Sequence, residues 1–411
     1  MERHTLARSA RAALLAVACA TFAFETLRNT PVAAAEKAEP SEHAQANGVV
    51  TTGAMGITET VDQIMAKEKD FAAWDPSMGY RIFGEHEDIA FKKRKKQSAN
   101  ALPVSSWPVT AKSVATMLSG SGANSHREGG EGENGATGHH GSAPHLPQGL
   151  GFSFTGNTIT TDGGVLPPDT MGAVGPTQVM VTTNGRIRVY DKTTGALGAL
   201  NATQESFFSS VLGGGSNFCS DPQVRYDRTS GRWIIITLSI PPSFSANRVL
   251  VAVSSGSTIT GSGSFTFFFF TAAASGELCD YPSLGVDANA LYIGGNIFNS
   301  AGTSLLRADG WVVRKSSVTG AGPIVQTKFQ VMTGAGVGLF SPRGVDNDDA
   351  TATQGYFIGV DGAQFSVLKL RRVSTPGGTP TMSGDLSVSV PTTGYPQNVT
   401  PQGSSTSLDA L

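Results

Sequence analysis

Short apolar runs bounded by Gly, Asn, Asp, Ser or Pro recur from residue 151 to the end of the chain. The fullest example is CSDPQVRYDRTSGRWIIITLS, Cys219 to Ser239. It reads as a strand, a tight turn and a second, richer strand. Looser copies open on Pro168, Pro222, Pro282, Pro342 and Pro396, spaced 54, 60, 60 and 54 residues apart. A second strand follows each closing turn: Gln178–Asn184, Arg232–Ser239, Ala290–Phe298 and Gly355–Gly362. Third and fourth strands are predicted at RIRVYD, at LVAVSS and FTFFFF, at GWVVRKSSV and TKFQVM, and at SVLKLRRVS and LSVSV. About four short strands per unit of roughly 40–60 residues predict the blades of a β-propeller. A two-sheet sandwich accommodates many short strands but does not account for the period.

The chain divides into three parts. Residues 1–35 read as a signal peptide. Arg3, His4, Arg8 and Arg11 precede the apolar run Ala12–Phe24, and Ala33-Ala34-Ala35 offers a cleavage site. A lipid anchor at Cys19 and an uncleaved N-terminal anchor are the alternatives, and every version predicts export, to the medium, the cell surface or the periplasm. Residues 36–150 are low in complexity and predicted to be mostly disordered, with weak helical periodicity over 36–66. Phe71–Phe91 is an aromatic cluster. The basic run Lys92–Lys96 reads as a solvated tract, and the Gly/Ser/Glu/His stretch 119–148 as a linker. Residues 151–411 form the repeat domain. Its opening strand, GFSFTG, is expected to complete the blade made by the other end. A fifth unit has only begun at Pro396 when the sequence ends at Leu411, so the propeller is expected to be C-terminally incomplete.

The motifs PPDTMGAVG, DPQVRYDRTSGRW and CDYPSLGVDANALYIGGNIF resemble a broad group of secreted bacterial β-propeller-repeat proteins, largely uncharacterised. In that group the same motifs recur in the same order. The resemblance covers residues 151–411. It implies fold and export, and strands continuing past the Leu411 segment. It supplies no catalytic residues to carry over.

Composition narrows the chemistry. The formal net charge is −2, with 15% charged residues and 50 glycines. The charges are balanced on both sides of residue 150, which leaves no footprint for nucleic acid. No histidine follows His145, so the repeat domain holds no Ser-His-Asp triad and no His/Cys zinc site of its own. Cys219 and Cys279 each lie three residues before a repeat proline, and in an exported protein they predict a disulfide between consecutive blades. Two buried thiols are the alternative.

Carboxylates remain as candidate chemistry. Asp169, Asp221 and Asp280 flank three of the repeat prolines, which in a propeller places them near the axis. With Glu277 they are the catalytic candidates for a glycoside hydrolase or lyase. Asp beside a Pro-led strand also caps turns, and this role is expected to recur with the repeat. Asp346, Asp348 and Asp349 form an acidic loop with the oxygen ligands that Ca²⁺ takes, or else a solvated turn. Arg343 replaces the neutral Gln223 and Ser283 of neighbouring copies and, with Tyr281, is a candidate ligand contact. Tyr226, Trp233, Tyr292 and Trp311 could stack on sugars, although Trp233 reads better as packing between blades. The main reading is an exported scaffold that recognises an extracellular glycan, peptide or protein, with no membrane span in the folded domain and no required cofactor. A carboxylate-dependent glycosidase or lyase is the alternative, and a structural surface protein the third. The residues leave open whether the chain is an enzyme and what its oligomeric state is.

Overall fold

The computed structural model describes residues 45–71, 81–82, 152–158, 165–320, 322–333 and 337–394. The predicted signal, the basic run, the His-containing linker and the Pro396 segment lie outside these residues. The chain forms a β-propeller of four antiparallel sheets in sequence order. Blade 1 comprises Met171–Val174, Gln178–Thr183, Arg186–Asp191 and Leu197–Thr203. Blade 2 comprises Phe218–Asp227, Arg232–Ile240, Arg248–Ser254 and Ser264–Thr271. Blade 3 comprises Glu277–Val286, Ala290–Asn299, Leu305–Arg314 and Val325–Met332. Blade 4 comprises Leu339–Gly344, Gln354–Asp361, Val367–Ser374 and Thr381–Ser383, with Leu386–Ser389 added beside its third strand. The first strands of successive blades touch one another, so they line the axis.

The side chains of the central strands alternate between the two faces of each blade. In blade 2, Trp233 and Ile235 join Met180, Ile187, Val189 and Leu200 in a core shared with blade 1. Ile234, Ile236 and Leu238 turn the other way, onto Leu284, Leu291, Ile293 and Trp311 of blade 3. Blade 3 repeats the device, presenting Tyr292 and Val312 to Phe340 and Phe357 of blade 4. Burial on both faces explains the unbroken apolar runs. The Phe-rich strand fits the same scheme: Phe265 and Phe267 meet Phe207 edge-on, while Phe268 and Phe270 join the core with blade 3. Trp233 is fully buried between blades, as expected for packing rather than sugar stacking.

This arrangement corrects the disulfide expectation. Cys219 and Cys279 are free and buried. Cys219 points into the core between blades 1 and 2, Cys279 into the core between blades 2 and 3. Equivalent positions face in the same rotational sense and therefore into different cores. Burial raises the pKa of both thiols. The opening segment also differs from expectation. Phe152–Thr158 forms no strand; Phe154 instead stacks on Tyr190 of blade 1, 5.0 Å between ring centroids.

The aspartates that end the first strands serve the turns that follow them. Asp227 accepts from Thr229 and pairs with the buried Lys315 at 2.6 Å. Asp287 accepts from the backbone of Asn289 and Ala290 and from the Tyr292 hydroxyl. Residues 346–349 direct their carboxylates apart: Asp346 pairs with Arg225, Asp348 with Arg228, and Asp349 caps Thr351. Among the described residues, no group of three or more His, Cys, Asp or Glu is arranged to hold a metal ion.

Residues 45–68 depart from the weak periodicity of their sequence. Gln45–Asn47 pairs with Thr381–Ser383 of blade 4, Val49–Thr52 with the fourth strand of blade 3, and Ile57–Thr60 with that of blade 2. The helix Val61–Glu68 then packs on the fourth strand of blade 1. One segment thus closes the outer edges of three sheets and reaches the fourth, covering backbone groups that would otherwise offer a template for pairing. Thr60 and Gln63 form a reciprocal capping box at the helix start. Val61 and Ile64 are fully buried. Glu68 accepts from the Thr203 amide and hydroxyl at 2.9 Å. Replacing Ile64 by Ala is expected to cost about 2–5 kcal/mol, as for other buried aliphatics. Thermal unfolding should shift down and limited proteolysis should cut within 45–71; an unchanged Tm and cleavage pattern would show that the helix is not docked.

Candidate functional site

The first strand of each of blades 2, 3 and 4 is broken by the same β-bulge. Pairing jumps from Ser220 to Gln223, from Asp280 to Ser283 and from Phe340 to Arg343, so two residues face one on the partner strand. The bulged pairs are Asp221-Pro222, Tyr281-Pro282 and Ser341-Pro342. Asp221, Tyr281 and Ser341 all take left-handed backbone conformations, with φ of 56°, 55° and 48°. That conformation is uncommon for any non-glycine residue, and a following proline favours extended backbone instead. Asp169 ahead of blade 1 is also left-handed, with φ of 42°.

Neighbouring blades hold these kinks in place. Asn184, almost wholly buried at the end of the second strand of blade 1, accepts from the Asp221 amide at 2.7 Å and donates to the Asp169 carboxylate. Asn296 of blade 3 plays the matching part, accepting from the Ser341 amide at 3.2 Å. Within blade 3, the Tyr281 amide donates to Asp280 at 2.9 Å. The backbones come very close here: a Cβ on Gly294 would lie 2.0 Å from the Pro342 carbonyl oxygen.

The left-handed Asp169, Asp221 and Tyr281 open onto one cavity of about 210 Å³. Blade 1 contributes Asp169, Thr170 and Met171; blade 2 contributes Phe218, Ser220, Asp221, Gln223, Ile240 and Phe244. Leu278, Asp280, Tyr281 and Pro282 come from blade 3, and Arg343 from blade 4. Five residues singled out from sequence therefore share one pocket: Asp169, Asp221, Asp280, Tyr281 and Arg343. Glu277 stands apart. It holds Arg307 through two hydrogen bonds of 2.7 and 2.8 Å, which keep its carboxyl below the usual range. Trp233, Tyr292 and Trp311 are buried between blades. Asn184 and Phe244 were not singled out from sequence. The signal for Asn184 is a polar residue closing the apolar second strand of blade 1, matched by Asn296 in the second strand of blade 3.

The three aspartates sense one another. Burial, followed by repulsion from Asp280 and Asp169, pushes the Asp221 carboxyl well above its ordinary range. Burial also raises Asp169, partly offset by hydrogen bonds from Asn184 and Asp221. The Ser220 hydroxyl donates to the Asp221 carboxyl at 2.6 Å. A proton retained on Asp221 relieves the repulsion, and Asp221 is the group of the cluster pushed furthest toward its acid form.

No family model matches the chain, nor does any curated protein. Similar solved structures include an exo-β-1,3-galactanase from Phanerochaete chrysosporium with β-1,3-galactotriose, 16% identical over 56% of this chain and 52% of that one, TM-score 0.30. An exo-β-1,3-galactanase from Clostridium thermocellum is 11% identical over 53% of this chain and 48% of its own, TM-score 0.30. The native arabinanase of Bacillus subtilis is 11% identical over 54% of this chain and 81% of its own, TM-score 0.28. This chain thus spans about half the length of the two galactanases. At such identities and scores the likeness assigns neither family nor activity, and the fold rests on the strand pairings themselves.

The raised carboxyls fix a pH dependence. Above about pH 4 an unfolded aspartate has released its proton, whereas folded Asp221 and Asp169 still hold theirs. The stability they contribute is full below that pH and is lost as pH rises through the folded values. Asp221→Asn is therefore expected to raise Tm relative to wild type by an amount that grows from pH 4 to pH 7. A constant difference across that range would show that Asp221 titrates normally.

Proposed function

We propose that the axial pocket binds a sugar ring of an extracellular glycan and that its carboxylates cleave a glycosidic bond. The observation that carries this reading is the meeting of three carboxyl groups from three blades in one cavity, where burial pushes the Asp221 carboxyl well above its ordinary range. Glycoside cleavage needs one carboxylic acid and one carboxylate on a shared site. In this scheme Asp221 donates its proton to the departing glycosidic oxygen as the C–O bond breaks. Asp169 or Asp280, as carboxylate, takes a proton from the water whose oxygen joins the anomeric carbon, or attacks that carbon itself before water releases the sugar. Tyr281 and Arg343 line the same cavity and supply polar contacts to hydroxyls. The cavity is smaller than the roughly 300–1,000 Å³ of sites for drug-sized ligands, which suits a single ring. No helix among the described residues is long and apolar enough to cross a membrane. The N-terminal run of the sequence supports export.

A second reading, recognition without turnover, is favoured by the structural use of the same groups. Asp169 is bonded by Asn184 and Asp280 by the Tyr281 amide. Hydrolysis and binding of an oligosaccharide panel by wild type, Asp221→Asn and Asp280→Asn separate the two. Cleavage predominating, each substitution is expected to lower kcat by about a hundredfold or more with binding retained. Binding without turnover in wild type would leave recognition as the function.

A further inference from the structure

The loop Pro241–Asn247 of blade 2 has the sequence PPSFSAN and places an aromatic ring at the pocket mouth. Phe244 is left-handed with φ of 49°, and Ala246, two residues on, with φ of 56°. Glycine or asparagine is the usual occupant of such positions, and a bulky side chain there is a true outlier. The loop is nevertheless firmly held, and by the neighbouring blade. The Ala246 amide donates to the Glu277 carbonyl at 2.9 Å, and the Gly276 amide to the Ser245 hydroxyl at 2.7 Å. Asn247 exchanges two hydrogen bonds with the Cys279 backbone, of 2.8 and 2.9 Å.

This strain does not serve the core. Phe244 remains 37% exposed and meets Phe218 edge-on, 5.8 Å between ring centroids. Both rings line the cavity that holds Asp221 and Asp280. A strained backbone over-determined by its surroundings marks a position whose side chain is needed where it stands. A flat apolar face beside carboxylates matches a ligand with one apolar face and a polar edge. A pyranose has that form: its C–H face covers an aromatic ring while its hydroxyls donate to carboxylates.

We infer that Phe244 is a fixed stacking platform that selects a neutral pyranose for the axial pocket. This rests on the sugar-binding reading above and adds the ligand's class and the residue that reads it. Phe218 braces the platform edge-on, and the bonds to blade 3 fix the loop that carries it, so little ordering is left to be done on binding.

The probes are methyl β-galactoside, β-glucoside, β-mannoside and β-xyloside, titrated against the full chain by saturation-transfer NMR. Wild type is expected to bind at least one, with transfer strongest to ring C–H protons. Phe244→Leu keeps apolar bulk but loses the flat face, and should bind about tenfold more weakly. Phe244→Gly relieves the backbone and should bind at least as poorly without a lower Tm. Phe244→Trp restores a flat face and should stay within about threefold of wild type. Wild-type binding in Phe244→Leu and Phe244→Gly, with Arg343→Ala still weakening it, would overturn the platform and leave the sugar pocket standing. Failure of every methyl glycoside to bind wild type would overturn the sugar pocket, and the platform with it.

Discussion

A left-handed residue followed by proline, placed in the axial strand of three successive blades, is the constraint on which the site depends. Each such kink spends conformational energy, of order 1–3 kcal/mol for a non-glycine residue in this region. Two are held by the neighbouring blade, which supplies Asn184 for Asp221 and Asn296 for Ser341, and the third by Asp280 of its own strand for Tyr281. The kink turns the strand so that residues before and at the bulge reach the axis rather than the next sheet. Without it, Asp221 and Tyr281 would take their turn in the alternation that fills the inter-blade cores.

The blades around this axis are joined by side chains of opposite parity, so the sheets of blades 2 and 3 are buried on both faces and each of the junctions 1/2, 2/3 and 3/4 has its own core. That scheme makes the aspartate cluster costly and therefore informative. Carboxylates brought together under partial burial can be kept only by sharing a proton or by forming strong hydrogen bonds. Elsewhere in the protein, charges are placed differently. Asp227 has Lys315, and Glu277 has Arg307. The axial aspartates have chiefly one another, a polar asparagine and backbone amides.

Much of this was legible in the sequence because proline and aspartate mark the kinks directly. The repeat spacing found the blades, and the residues beside the prolines found five members of the pocket. The rest was hidden for physical reasons. QAN, VVTT and ITET pair as outer edge strands, and their side chains stay largely exposed, so they carry no apolar alternation to read. Asn184 acts through a contact between blades, far from Asp221 in sequence. Phe244 lies in a loop whose conformation contradicts the preference of its own residue. The cysteine pairing failed because equivalence in a rotational repeat means the same direction, not the same place. Glu277 begins the correct strand but is captured by Arg307 before it can reach the axis.

The site turns on Asp221 keeping its proton above the ordinary aspartate range, with Asp169 raised beside it. Carbon-13 NMR of selectively labelled aspartate carboxyls, followed from pH 3 to 9 and assigned with Asp221→Asn, measures it directly. The expected result is the Asp221 carboxyl titrating well above the ordinary value of about 3.9, with Asp169 raised as well. Titration of both Asp221 and Asp169 near that ordinary value would contradict it.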